Sequence, residues 1–482
     1  MSTIETAPQP SAEKVIVEWR SLYYTETNFA IGLIVILAFV LACTAIALHV
    51  PGQISMDTSI QLYEASTGQA TSFNPPFMSA LMRWVGGGEI ATSTIVLINA
   101  ICLYGGLALV AITTIKIKAN QESSKIATWR VLITCLVIAN PIIFIYTGII
   151  WKDVLFASLL TCGCAFGVAA NFGSSFRRTL SILLSIFLLA CSYLTRQQGI
   201  FMAPVLLLVP IASIYYFKPS NKIFSTLAIV VLFIGTIFFL EALTKSSINS
   251  LDGKFESAGY NSIMKYDLAG IVSNSDMPNK FFVYPISNEQ LTAVRSVYDP
   301  SRIDYLERSK IASDWLDQNG ELRHTWLQMI KQNPSAYLQH RTNAYAALLG
   351  LHGIAGTLPI HVGIEGNSTY LASVGMSLGT NKRSQLLYQI ATSFYQWPIY
   401  KHIFWMITLI VIATVGTISA IPKPLKLIGL SIAASSALMY ASFFPTTIAS
   451  DFRYLFATIP LIMSLTLIVT LGASRKKSAA TT

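Results

Sequence analysis

Residues 56–84 read MDTSIQLYEASTGQATSFNPPFMSALMRW. The stretch falls between the first two long apolar segments of the chain, so it lies on one side of a membrane. Asp57, Gln61 and Glu64 follow i, i+4, i+7 spacing, which sets them on one face of a short helix. Thr67-Gly68 ends that helix. Asn74 is placed to cap a second short helix with Pro75 at its first position, and Met78, Leu81 and Val85 form its apolar stripe. The expected result is two short amphipathic helices along a membrane surface, with a carboxylate aimed into the space between them and the helix bundle.

The composition agrees with a membrane setting. The chain is 53% hydrophobic and 12% charged, whereas soluble proteins carry about 25% charged residues. A span takes about 20 apolar residues. Such stretches occur at 29–50, 91–115, 131–150, 154–172, 179–195, 199–217, 222–244, 399–421, 427–446 and 453–472. The fold class expected is therefore an all-α polytopic membrane protein of about ten transmembrane helices, with a mostly helical external domain. Residues 1–28 are polar, hold four acidic residues and do not read as a signal peptide. They read as a cytoplasmic tail with little structure of its own, of which 13–24 also fits a membrane-surface segment. The expected organisation is a tail 1–28, membrane helices in 29–244 with an external loop 51–90, an extracytoplasmic domain 245–398, membrane helices in 399–472, and a cytoplasmic tail 473–482.

Orientation follows from where the basic residues stand, since cytoplasmic loops carry the excess of Lys and Arg. With the N-terminus in the cytoplasm, the inside loops hold Lys116, Lys118, Lys125, Arg130, Arg177, Arg178, Lys218, Lys222, Lys423, Lys426, Arg475, Lys476 and Lys477. The short outside loops hold only Arg83, Lys152, Arg196 and Arg453. That asymmetry puts both termini inside and both residue 57 and the 245–398 region outside. The net charge of +10 is therefore a topology signal, not a nucleic-acid one.

In the external region, 245–300 reads as a mixture of strand-like and loop-like pieces such as Phe281-Phe282-Val283-Tyr284. Ser301-Arg302-Ile303-Asp304 has the form of a capping box opening a helix to about 318. Helices are expected over 321–332, from Asn333-Pro334 to about 351, and over 382–396, the last with Leu386, Leu387, Ile390 and Phe394 on one face. Residues 352–380 are Gly-rich and irregular. Cys43, Cys102, Cys135, Cys162, Cys164 and Cys191 all fall in apolar segments and read as small packing residues. His324, His340, His352 and His361 show no metal-ligand spacing and read as surface or packing residues. No phosphate-binding Gly-rich loop occurs, which argues against a nucleotide-sugar donor.

The early acidic residue Asp57, followed by Asn74-Pro75-Pro76-Phe77, resembles the first external loop of the GT-C class of membrane glycosyltransferases. That class includes the protein O-mannosyltransferases and the lipid A aminoarabinose transferase. Thr58 and Asn74 depart from the Asp-Glu pair or His common in the class, so the subfamily stays open. The resemblance implies transfer of a sugar from a polyprenyl-phosphate donor, such as undecaprenyl phosphate, to a hydroxyl acceptor at the outer side of the bacterial inner membrane. The acceptor would be an envelope polysaccharide, a glycolipid such as lipopolysaccharide, or a protein. It further implies catalytic carboxylates, matched by Asp57 with Glu64 and Asp153, and basic residues on the donor phosphate, matched by Lys152, Arg196 and Arg453. Some members of the class need a divalent metal; Asp57 with Glu64 or Asp153 would be its ligands here.

The residues themselves leave other readings open. Asp153 at a helix start also suits the helix dipole, and Lys152 also suits snorkelling. Arg196 and Arg453 also fit headgroup contacts or a surface salt bridge, Asp57 a helix cap, and Glu64 a residue that orients a neighbour. Glu241 is a weaker candidate that pairs with Lys245 at i+4. A flippase or transporter for a lipid-linked sugar would also want a cationic pocket, but no internal repeat is present. An O-antigen polymerase or ligase would share the span count but not the early Asp and Pro-Pro pattern.

Overall fold

The computed structural model describes residues 12–72, 74–121, 126–217, 221–250, 256–276, 283, 285–317 and 321–474. It is built almost entirely of helices. Eight are long and apolar enough to cross a membrane: Thr27–His49, Gly88–Asn120, Thr128–Thr147, Lys152–Ala169, Ser175–Thr195, Lys222–Ser247, Lys423–Thr446 and Phe452–Gly472. Two shorter apolar helices, Gly199–Tyr215 and His402–Ile418, complete the ten stretches expected from hydropathy. The first helix is longer than expected. It begins at Ala12 and runs unbroken to His49, so residues 12–28 continue the span rather than forming a loose tail.

Burial sorts these helices. Lys152–Ala169 and Phe452–Gly472 are enclosed by the others. The first helix and Lys222–Ser247 instead expose large apolar side chains such as Phe39, Ile223 and Phe238, as lipid-facing surfaces do. Small residues let the central helices approach closely. A Cβ on Gly167 would stand 2.9 Å from the Pro210 ring, and one on Gly163 3.0 Å from Leu189. At one end of the bundle Lys118 and Arg130 both donate to the Ala473 carbonyl. At the other end the short helices gather with the 245–398 region, called the external region after its expected side.

The external region has its own core. Tyr266, Val272, Val294, Leu306, Trp315, Met329 and Ala344 pack together from five α-helices and one 3-10 turn. The mixed reading of 245–300 is corrected: helices Glu256–Asn274 and Asn288–Val297 occupy most of its described part. Ser287 and Gln290 close a capping box at the start of the second. Phe281, Phe282 and Tyr284 lie outside the described residues. The helix expected from Ser301 is also corrected. It is a 3-10 turn, Ile303–Arg308, followed by a separate helix Lys310–Asp317. The cause is competition, because residues 301–303 pair in extended form with 448–450. Ile303 N–H donates to the Ile448 carbonyl at 2.9 Å and Ser450 N–H to the Ser301 carbonyl at 2.8 Å. The helices Leu322–Gln332, Pro334–Leu348 and Lys382–Ser393 stand where expected.

The external region is fastened to the bundle through buried polar groups. Arg341 Nε lies 2.7 Å from Asp267 Oδ1, and both side chains are fully buried. The other Asp267 oxygen accepts from Trp326 Nε1 at 2.7 Å. From this anchor Arg341 donates to the Thr447 carbonyl at 2.7 Å, four residues before Asp451. Strand structure is limited, among the described residues, to a parallel pairing of Gln69–Ala70 with Asn249–Ser250 and five isolated bridges.

Candidate active site

Short extended segments decide where Asp57 stands. Gln53 N–H donates to the Gly148 carbonyl at 2.8 Å, and Ile150 N–H returns a bond to the Gln53 carbonyl at 2.9 Å. On its other side Ile54 exchanges bonds with Gly363 and Glu365, at 2.9 and 2.8 Å. Residues 53–54 are thereby held between the loop before Lys152 and the loop around 364. Trp151 Nε1 donates to Ser55 Oγ at 2.8 Å, and the Thr58 hydroxyl donates to the Ile150 carbonyl. Gly366, at φ +148°, lies against Ser59, where a Cβ would come within 2.5 Å of the Ser59 Cβ. A helix then runs from Met56 to Thr67 and ends on Gly68 at φ +75°, the left-handed cap that Gly adopts without cost.

Asp57 and Glu64 share a side of this helix but have different surroundings. Asp57 is about a third exposed and lines a cavity of about 780 Å³. Glu64 is buried beneath the returning segment 71–79. One of its oxygens accepts from the Thr71 and Ser72 amides at 2.8 and 3.0 Å and from Ser72 Oγ at 2.9 Å; the other accepts from Ser79 Oγ at 2.7 Å. It does not line the cavity. The second short helix is Phe77–Trp84 and has no side-chain cap, which corrects the expectation for Asn74. The Asn74 side-chain oxygen accepts from Lys152 Nζ instead, because an ammonium is a stronger partner than a backbone amide.

On the same cavity wall, Arg453 Nη1 lies 2.6 Å from Asp57 Oδ2, and Nη2 lies 3.2 Å from Asp451 Oδ2. Its guanidinium stacks over the Trp151 ring at 4.8 Å. Asp451 also pairs with Arg302 of the external region. Four side chains thus alternate in charge: Arg302, Asp451, Arg453 and Asp57. Burial pushes the Asp57 carboxyl up, but Arg453 and then Lys152 more than offset it, so its pKa lies below the ordinary carboxylate value. Arg302 and Asp451 were not among the candidates read from sequence. Asp451 carried a signal, an opposite charge two residues from Arg453 at a span boundary. Arg302 carried none.

Arg196 and Asp153 pair with each other away from the cavity, 5% and 1% exposed. Arg196 also donates to the Tyr454 carbonyl at 2.9 Å and lies beside the stacked Phe443 and Tyr454 rings, 5.5 and 5.4 Å away. The structure therefore brings Asp57, Arg453 and, through its charge, Lys152 together, and leaves Glu64, Asp153 and Arg196 behind the wall. Glu64 and Asp153 do not fit as metal partners of Asp57, since one carboxylate is filled by donors and the other by Arg196. Among the described residues no three His, Cys, Asp or Glu side chains group as a metal site. His361 lines the cavity with its ring 5.5 Å from that of Trp151.

No protein-family model and no curated protein matches the chain. Two solved structures are similar to it. One is ArnT from Cupriavidus metallidurans bound to undecaprenyl phosphate, at 13% identity and TM-score 0.33, over 92% of this chain and 77% of that one. The other is the same protein in the apo state, at 14% identity and TM-score 0.34, over 92% and 78%. At these TM-scores the superposition is loose, and the functional reading rests on the residues and geometry of this chain.

Proposed function

We propose that this chain is a membrane glycosyltransferase that moves a sugar from a polyprenyl-phosphate donor to an acceptor hydroxyl at the outer face of the bacterial cytoplasmic membrane. The observation that carries the reading is the Asp57–Arg453 pair on the wall of the cavity between membrane helices and external region. It sets a carboxylate and an immobilised guanidinium side by side, which is what a displacement at a phosphate-bearing carbon uses. The GT-C resemblance of Asp57 and the Asn74-Pro75-Pro76-Phe77 motif supports the same reading.

The acceptor oxygen attacks the anomeric carbon and its proton passes to Asp57. The bond from that carbon to the phosphate oxygen breaks, and its electron pair leaves on the polyprenyl phosphate. Arg453 receives the growing charge. Its fork of donors suits phosphate oxygens. As the phosphate competes with Asp57 for Arg453, the carboxylate regains basicity. Lys152, held by Asn74, adds positive charge behind the pair. Arg196, Asp153 and Glu64 act on position: the first two as a buried pair and Glu64 as the post around which 71–79 folds.

The test is turnover of undecaprenyl-phosphate-linked glucose, mannose and galactose by the purified chain with neutral oligosaccharides, a glycolipid and a Ser/Thr-rich peptide as acceptors, read as released undecaprenyl phosphate. Asp57→Asn keeps size and hydrogen bonding but removes the base, so turnover should fall by ~10²-fold or more while donor binding stays near native. Native turnover in Asp57→Asn would exclude it as the base. No release from any of a broad panel of such donors would exclude the reading itself.

A further inference from the structure

The helix Lys382–Ser393 forms one wall of the cavity through Ser384, Gln385, Tyr388 and Gln389. These follow i, i+1, i+4, i+5 spacing, one continuous face. Leu387 and Ala391 on the adjoining face are buried and seat the helix. Gln385, Tyr388 and Gln389 are exposed. Among the described residues their side chains make no hydrogen bond. The wall therefore offers two free amides, each donor and acceptor at once, and a ring with an apolar face and a polar tip.

Charge narrows what this wall can hold. The helix's own cations, Lys382 and Arg383, do not line the cavity, and Arg383 donates to the Ala47 carbonyl. The two lining arginines are already paired with Asp57 and Asp451, and Glu365 adds a further carboxylate. A bound donor phosphate would use what cationic character remains. An anionic acceptor would thus find, among the described lining residues, no arginine or lysine without a carboxylate partner. A peptide acceptor would want a sheet edge or an apolar groove. This wall is a helix whose backbone is already bonded and whose face is polar.

We infer that the Ser384–Gln389 face is an acceptor subsite for the end of an uncharged, hydroxyl-rich glycan. The amides hydrogen-bond to its hydroxyls and the Tyr388 ring lies against the C–H face of one sugar, holding a hydroxyl toward Asp57. The role as acceptor subsite rests on the glycosyl-transfer reading; the glycan chemistry of the wall does not.

The test has two arms, both on the purified full chain. The first measures saturation-transfer NMR with neutral oligosaccharides of several linkages, an oligogalacturonate as the anionic control, and a Ser/Thr-rich peptide. The neutral set should bind at least tenfold tighter than either control, and Tyr388→Ala and a Gln385→Ala/Gln389→Ala double variant should each weaken it about tenfold, with unchanged thermal midpoints. Both substitutions are on an exposed face, so a loss of binding is not a loss of fold. The second arm measures undecaprenyl phosphate release from the donor panel. Glycan binding without release from any donor would overturn glycosyl transfer and leave the glycan wall standing. Donor use with peptide or anionic glycan preferred, or native glycan binding in both variants, would overturn the inference.

Discussion

Arg453 Nη1 lies 2.6 Å from Asp57 Oδ2. This contact joins the first turn of the Met56–Thr67 helix to the start of the last membrane helix and puts a carboxylate beside a guanidinium, the base and the phosphate-binding group of the proposed reaction. Arg453 is held in turn by Asp451, and Asp451 by Arg302, so the external region sets the reach of the arginine.

The pair predicts the acid side of the pH profile. With its pKa held below the ordinary carboxylate value, Asp57 stays ionised through the neutral and mildly acidic range. The pair's contribution to stability is full above the unfolded carboxyl value of about 3.9 and is lost as pH falls through the depressed one. The kcat/KM for donor, which reports the free enzyme, should therefore show no acid limb between neutrality and about pH 4. In Arg453→Gln burial is opposed by Lys152 alone, and the limb should move to higher pH. A limb that stays in place in that variant would mean that Arg453 does not govern the base.

Arg196 and Asp153 should behave as a structural pair. Removing one partner strands the other charge in the bundle, at a cost of about 3–5 kcal/mol. Arg196→Met should lower the thermal midpoint in detergent markedly, and adding Asp153→Leu should restore most of it. A stable Arg196→Met protein with weakened donor binding would identify Arg196 as a phosphate ligand instead.

Glu64 should act through the segment it holds. Glu64→Ala leaves the Thr71 and Ser72 amides and the Thr71, Ser72 and Ser79 hydroxyls without their acceptor. The expected loss is about 1–3 kcal/mol with faster proteolysis between residues 67 and 79. Glu64→Gln, which keeps one acceptor oxygen, should lose less. Native proteolytic resistance in Glu64→Ala, with turnover abolished, would point to direct chemistry.

The basic-residue asymmetry predicts that the 245–398 region lies outside the cytoplasm. Ser296 is exposed on the external region. Ser296→Cys should react with an impermeant thiol reagent in intact spheroplasts. Reaction only after lysis would turn the molecule over and place Asp57 on the cytoplasmic side.

Much of the architecture was legible because it is local. Apolar length marks spans without reference to the rest of the chain, and the ten stretches stand in the structure as eight long and two shorter helices. Pro334 and Gly68 punctuate helices by their own backbone preferences. Where local signals misled, a distant segment had won. The Ser301 capping box lost to pairing with 448–450, and Asn74 left its capping position for the Lys152 ammonium.

By itself, then, the sequence determined a helical membrane bundle, a second helical region, and a boundary on which Asp57, Lys152, Arg196 and Arg453 all stand. Which of these meet was decided only by the tertiary structure. Asp57 and Glu64 have the same periodicity, and the returning segment 71–79 alone makes one of them buried and saturated. Arg196 and Arg453 carry the same charge, yet packing turns one onto Asp153 and the other onto Asp57 and Asp451. Periodicity assigns a face and hydropathy a depth. An ion pair depends on the distance between groups brought together from remote parts of the chain, and that distance exists only once the helices have packed.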